Sequence, residues 1–183
     1  MVSYFGNMGI CQDMETIRDA FRILKDDPEV FFLFAGHGSK MEELKAFVAA
    51  EAVENIRIYD FLHGQDFQDA LQISDCALVS LEKGVTGLCV PSKTYSYMMQ
   101  GIPLLAIMDE GDIVSDIEAG SGAWVRNGEG QRLAEAICHM KANPQQVREM
   151  RNACREIYLE KYTAPLCTQK YVELFRALEK DRG

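Results

Sequence analysis

Five short apolar runs, VSYF, VFFLFA, NIRIY, CALVS and LLAI, each followed by a stretch of helical periodicity, constrain this chain more than any other feature. Strands of four to six residues alternating with helices along a whole chain specify a doubly wound sheet of parallel strands joined by right-handed crossovers. The spacing predicts strands at Val2–Phe5, Val30–Ala35, Asn55–Tyr59, Cys76–Ser80 and Leu104–Ile107, with a sixth at Ala123–Arg126. Between them fall helices over Asp13–Lys25 with Asp13 as N-cap, from a Ser39–Glu42 capping box to Ala52, over Asp66–Ile73, from Pro91 through Gln100, and over Ile113–Ala119. Three more follow, one ending at Met140, one over Pro144–Tyr162, and one from Thr163 or Ala164 to Glu179. Met14, Ile17, Phe21 and Leu24 share one face of the first helix, as an element packed on a sheet requires. Met150, Tyr158, Tyr171 and Phe175 read as packing residues of the last two helices. The expected fold is a single Rossmann-like α/β domain over residues 1–183, about six parallel strands with helices on both faces.

Such sheets bind ligands beyond the carboxyl ends of their strands. That rule collects four loops on one edge: Gly6–Gln12, Gly36–Ser39, Asp60–Gly64 and Leu81–Ser92. The last opens the stretch VTGLCVPSKTYSYMMQGIPLLAIM, Val85 to Met108, in which Lys93 is the only charged side chain. A strongly hydrated ammonium in apolar surroundings needs a partner, and the nearest acids in sequence, Glu82 and Asp109, lie outside the stretch. An anionic ligand would supply one. Lys93 also stands at a helix start, where unpaired N–H groups and the dipole favour negative charge. His37, between two glycines at a strand end, reads equally as a solvated loop histidine or a ligand contact.

Composition closes off other classes. The 28 acids against 19 bases give a net charge of −9 with no local Lys/Arg cluster, which argues against a nucleic-acid surface. The six cysteines are scattered singly without zinc spacing, so we expect reduced thiols in a cytosolic protein, no disulfide and no metal. No apolar run is long enough for a membrane span. Met1 is followed at once by a core strand, which leaves no room for a signal peptide and suggests the C-terminal lobe of a longer protein.

Five segments in order, YFGNMG…ETIRDAF, FLFAGHGSKMEELK, IRIYDFLHGQDFQDALQISDCALVSL, VPSKTYSYMMQGIPLLAI and AGSGAWVRNGEGQRLAEAI, resemble the C-terminal half of family 4 retaining glycosyltransferases of the GT-B fold. The resemblance covers nearly the whole chain. It implies a nucleotide-sugar donor-binding domain whose N-terminal partner, carrying most of the acceptor site, is absent. By the same resemblance the donor diphosphate meets Gly6, Asn7, Gly9, Ser92 and Lys93. The base and ribose meet Gly36, His37, Phe61, Leu62 and Ser96, and the donor sugar meets Leu88, Cys89 and Val90. The chain departs from the family where many members carry two glutamates with seven residues between them, because those positions hold Leu88 and Ser96. The basic residues that commonly grip the diphosphate are replaced by Asn7 and Gln12.

Bacterial members with a P-S-K sequence, several acting in capsule, O-antigen or colanic-acid assembly, look similar. The resemblance thus implies transfer of a hexose or amino-deoxyhexose, a UDP-sugar being the favoured donor, to a lipid-linked or saccharide acceptor with retention, and no further cofactor. It places the protein in the cytoplasm, with the N-terminal domain as the part that would reach the inner face of the membrane. No catalytic base can be named. The alternatives are a sugar-nucleotide epimerase of the same fold and a non-catalytic lobe that has lost donor binding.

Overall fold

The computed structural model describes residues 1–180 and builds one sheet of six parallel strands in the order β3-β2-β1-β4-β5-β6. The strands are β1 (Val2–Asn7), β2 (Phe32–His37), β3 (Ile56–Tyr59), β4 (Cys76–Ser80), β5 (Leu104–Ile107) and β6 (Gly122–Val125). The helices are α1 (Glu15–Leu24), α2 (Met41–Ala50), α3 (Gly64–Gln72), α4 (Lys93–Met99), α5 (Asp112–Asp116), α6 (Gly130–Ala142), α7 (Pro144–Lys161) and α8 (Ala164–Lys180). Every strand and helix expected from the apolar runs is present.

Alternation along each strand divides the core into two layers. Tyr4, Phe32, Phe34, Leu78 and Ile107 pack beneath α1, α2 and α6 through Ile17, Phe21, Leu44 and Ile137. Phe5, Leu33, Ala77, Val79 and Ala106 pack against the opposite layer through Leu71, Tyr97, Met98, Ile117 and Ile157. Chain order reverses between β1 and β4, so the crevice expected of a doubly wound sheet opens there.

Several boundaries differ from the sequence reading. β1 and β2 each run two residues further, so Gly6, Asn7, Gly36 and His37 are strand residues, paired Gly6 with Gly36 and Asn7 with His37. A Cβ on Gly36 would lie 1.9 Å from the Gly6 carbonyl oxygen, so glycine permits this close approach. The Ser39–Glu42 capping box does not form, because the loops already satisfy the start of α2. Lys40 N–H donates to Met8 O at 2.9 Å, and Met41 N–H to Gly38 O at 3.1 Å. Asp13 caps α1 as expected, accepting the N–H of Thr16 at 2.9 Å. α4 begins at Lys93 and not at Pro91, and Gly101 ends it at φ +65°. Met150 and Tyr158 pack on the core, but Tyr171 and Phe175 are exposed, since no residue of α8 is buried.

Candidate functional site

The carboxyl ends of β1, β2 and β3 and the first turns of α4 enclose a cavity of about 250 Å³. Phe5, Gly6, Ala35, Gly36, Phe61, Leu62, Phe67, Lys93, Ser96 and Tyr97 line it. Six of the residues singled out in the sequence therefore meet in one place: Gly6, Gly36, Phe61, Leu62, Lys93 and Ser96. Among the described residues that line the cavity, Lys93 alone carries a charge.

Lys93 has no carboxylate partner among the described residues. Glu82 pairs with Lys40, and Asp109 accepts the N–H of Gly84 at 2.7 Å. The ammonium lies instead 3.6 Å from the centroid of the Tyr4 ring and donates to the Asn7 carbonyl at 3.4 Å. Tyr4 braces the same carbonyl with its hydroxyl at 2.8 Å. A neutral ring and one carbonyl replace little of the hydration an ammonium loses, and burial pushes Lys93 down to about 7. A cation so placed is short of negative charge. The N–H groups of Thr94 and Tyr95 turn back to Pro91 and Ser92, at 3.0 and 3.2 Å, leaving those of Ser92 and Lys93 toward the opening of α4.

The other expected contacts divide. His37 stacks on Phe61 with centroids 4.9 Å apart, and Phe61 stacks in turn on His63 at 5.4 Å, which makes an aromatic platform at the cavity rim. The N–H of Gly9 is already satisfied by Gln12 Oε1 at 2.9 Å, so Gln12 braces the first loop and Gly9 has no amide to spare. Leu88 is 83% exposed. Cys89 and Val90 line a separate cavity of about 230 Å³ with Thr86, Tyr95, Glu110 and Asp112, and the Thr86 hydroxyl is buried there without a partner.

Sequence reasoning missed Tyr4, Tyr97 and Thr86. Tyr4 had a signal, an aromatic residue two positions before the first loop glycine, whereas Tyr97 and Thr86 had none. All six cysteines are free thiols, and no cluster of three His, Cys, Asp or Glu side chains suited to a metal occurs among the described residues. No described helix is long and apolar enough to cross a membrane.

Another cavity, about 490 Å³, lies at the opposite end of the sheet against Val2, Cys76, Lys141, Arg148 and Arg151. Its three side-chain cations are engaged: Arg151 donates to Ser74 O at 2.9 Å, Lys141 pairs with Asp27, and Arg148 donates to Gln145 Oε1 at 2.6 Å. It also sits at the amino ends of the strands, away from the crevice.

Comparison with known proteins identifies the family. The chain is 32% identical over 171 residues to the probable glycosyltransferase WbjE of Pseudomonas aeruginosa, spanning 88% of this chain and 42% of WbjE. A second relative, the putative colanic acid biosynthesis glycosyl transferase WcaI of Escherichia coli, is 25% identical over 101 residues, 55% of this chain and 25% of WcaI. Among solved structures, HepE of Anabaena in complex with UDP superposes with a TM-score of 0.80 at 17% identity, covering 96% of this chain and 48% of HepE. The C-terminal domain of the group 1 glycosyl transferase LpcC from Francisella tularensis gives 0.71 at 16% identity, covering 89% of this chain and 86% of that domain. The fold is accordingly that of a GT-B C-terminal domain. Residues 1–143 match the family described as glycosyl transferases group 1, and the chain belongs to that family.

Proposed function

We propose that this chain is the donor-binding lobe of a retaining glycosyltransferase that takes a UDP-sugar and builds a surface polysaccharide. One observation carries the reading: the cavity between β1 and α4 offers a single buried, carboxylate-free ammonium beside an aromatic platform. A nucleoside diphosphate has matching parts. The diphosphate would meet Lys93, the free amides of Ser92 and Lys93, and the backbone of Gly6 and Asn7. The base would rest on Phe61 and Leu62 beside Gly36 and His37, and the ribose would hydrogen-bond Ser96. Leu88, Cys89 and Val90 would border the sugar, with the unpartnered Thr86 hydroxyl within the same wall.

The sugar would be a hexose or amino-deoxyhexose and the acceptor lipid-linked or a saccharide; the name of WcaI, a putative colanic acid biosynthesis glycosyl transferase, supports the polysaccharide part of this reading. Complete small-molecule sites occupy roughly 300 to 1,000 Å³. This cavity, at about 250 Å³, is the size expected of one half of a cleft closed by an N-terminal domain, and the chain spans less than half of WbjE. Transfer would be an activity of the two-domain protein, in the cytoplasm, with no cofactor beyond the donor. Lys93 would act by stabilising the charge that grows on the departing diphosphate, a contribution made through electrostatics and not through proton transfer.

Titrating the chain with UDP, GDP and ADP, followed by calorimetry and thermal shift and repeated on Lys93→Ala, tests the proposal. Saturable binding of UDP, weakened by the substitution, is the expected result. Binding of none of the three would refute the donor-site reading and favour a non-catalytic lobe.

A further inference from the structure

The two edges of β1 are treated differently. Toward β2 the strand is paired along its whole length, from Val2 with Phe32 to Asn7 with His37. Toward β4 the pairing stops after Val2 with Cys76 and Ser3 with Ala77. Alternate residues of a strand address alternate edges, so beyond Ser3 the peptide groups of Phe5 and Asn7 face the gap where the sheet divides. Buried peptide groups need partners. α4 supplies them. The fully buried Tyr97 hydroxyl accepts the N–H of Phe5 at 2.8 Å and donates to the C=O of the same residue at 3.3 Å, as a neighbouring strand would. One turn earlier, Lys93 Nζ donates to the Asn7 carbonyl at 3.4 Å. The spacings are commensurate, since four residues of helix advance about 6.0 Å and two residues of strand about 6.6 Å.

We infer that Tyr97 is a positioning residue of the donor pocket: its hydroxyl fastens α4 to the open edge of β1 and so fixes Lys93 beside Gly6 and Asn7. This rests on the reading of that cavity as a diphosphate site, and it adds the part that sets the distance between the two walls. Phe5, Gly6, Lys93 and Tyr97 all line the cavity, and a Cβ on Gly6 would already stand 3.7 Å from Lys93 Cε. Burial pushes the Tyr97 phenol far above its ordinary range, so it remains a donor at every pH at which the protein works. A phenylalanine would fill the same space but leave both Phe5 groups unpaired.

Tyr97→Phe tests this. The variant is expected to keep a native circular dichroism spectrum and to bind UDP about tenfold more weakly, the cost of one oriented hydrogen-bonded brace. The deciding measurement is a double-mutant cycle with Lys93→Ala. If Tyr97 acts through Lys93, the double variant binds UDP no more weakly than Lys93→Ala alone. Losses that multiply, or a Tyr97→Phe protein with wild-type affinity, would overturn the inference while leaving the donor reading intact. A wild type that binds none of UDP, GDP and ADP overturns both. The wild-type protein supplies a check independent of the variant: the Phe5 amide is expected to exchange as slowly as the paired amides of β1, and exchange at a loop rate would overturn the brace.

Discussion

Replacing Lys93 by methionine should weaken nucleotide binding and strengthen the fold, and the two effects should depend on pH in different ways. Lys93 falls from an ordinary 10.5 to about 7 because burial disfavours its charge. Between those values the unfolded chain holds a proton that the folded chain has released, so wild-type stability rises with pH across that window. Well below pH 7 the folded protein carries the buried charge in full. At 1.36 kcal/mol per pH unit the fall from 10.5 to about 7 amounts to about 5 kcal/mol. The Tyr4 ring and the Asn7 carbonyl return part of that, and the partly exposed stem lets water return more. Methionine keeps the stem and removes the charge, so we expect a gain of about 1 to 3 kcal/mol at pH 6, or about 3 to 10 °C in Tm. That gain should shrink steadily toward pH 10. Thermal unfolding of both proteins from pH 6 to 10 reads it directly. UDP affinity should meanwhile drop by about 10- to 100-fold at pH 6.5, as loss of a charge-assisted hydrogen bond implies. A variant that is less stable than wild type at pH 6, or whose stability difference is flat with pH, would refute the argument that a buried, unpaired ammonium is held for a ligand.

Three further outcomes follow from the same geometry. Wild-type affinity for UDP-glucose, whose diphosphate stays fully ionised across the range, should fall as pH rises above about 7, approaching tenfold per unit, and a flat profile from pH 6 to 9 would contradict it. Ser96→Ala should cost UDP about 0.5 to 1.5 kcal/mol, seen by calorimetry, without changing Tm or the affinity for inorganic pyrophosphate, which has no ribose. Gly36→Ala should destabilise the fold by about 3 kcal/mol or more in a urea titration, because its Cβ would lie 1.9 Å from the Gly6 oxygen at a φ of +155° that disfavours side chains.

The sheet was legible because its strands are nearly pure apolar runs, and the two-layer core follows from their alternation. Strand ends were not legible. Gly6 and Gly36 look like loop residues by propensity, yet they pair because two backbones approach more closely than any side chain would allow. The capping box at Ser39 failed for a related reason: carbonyls of Met8 and Gly38, remote or adjacent in sequence, took the donors that Ser39 would have served. Lys93 was conspicuous as a lone charge, and its place in the cavity followed from strand order and the crevice rule. What it rests on was not, since nothing in the spacing of Tyr4, Asn7 and Tyr97 announces that α4 replaces a strand along half of β1. The aromatic residues of α8 led to an expectation of packing for Tyr171 and Phe175, but residue type reports that a helix has apolar side chains to bury and not that this chain covers them.

The most direct measurement is a crystal structure of the chain grown with UDP. The account predicts a diphosphate oxygen within hydrogen-bond reach of Lys93 Nζ, about 2.7 to 2.9 Å for a charge-assisted pair, with the uracil against Phe61 and Leu62. A diphosphate seated in the cavity at the amino ends of the strands, beside Arg148 and Arg151, or a Lys93 still resting on Tyr4 with no ligand contact, would contradict it.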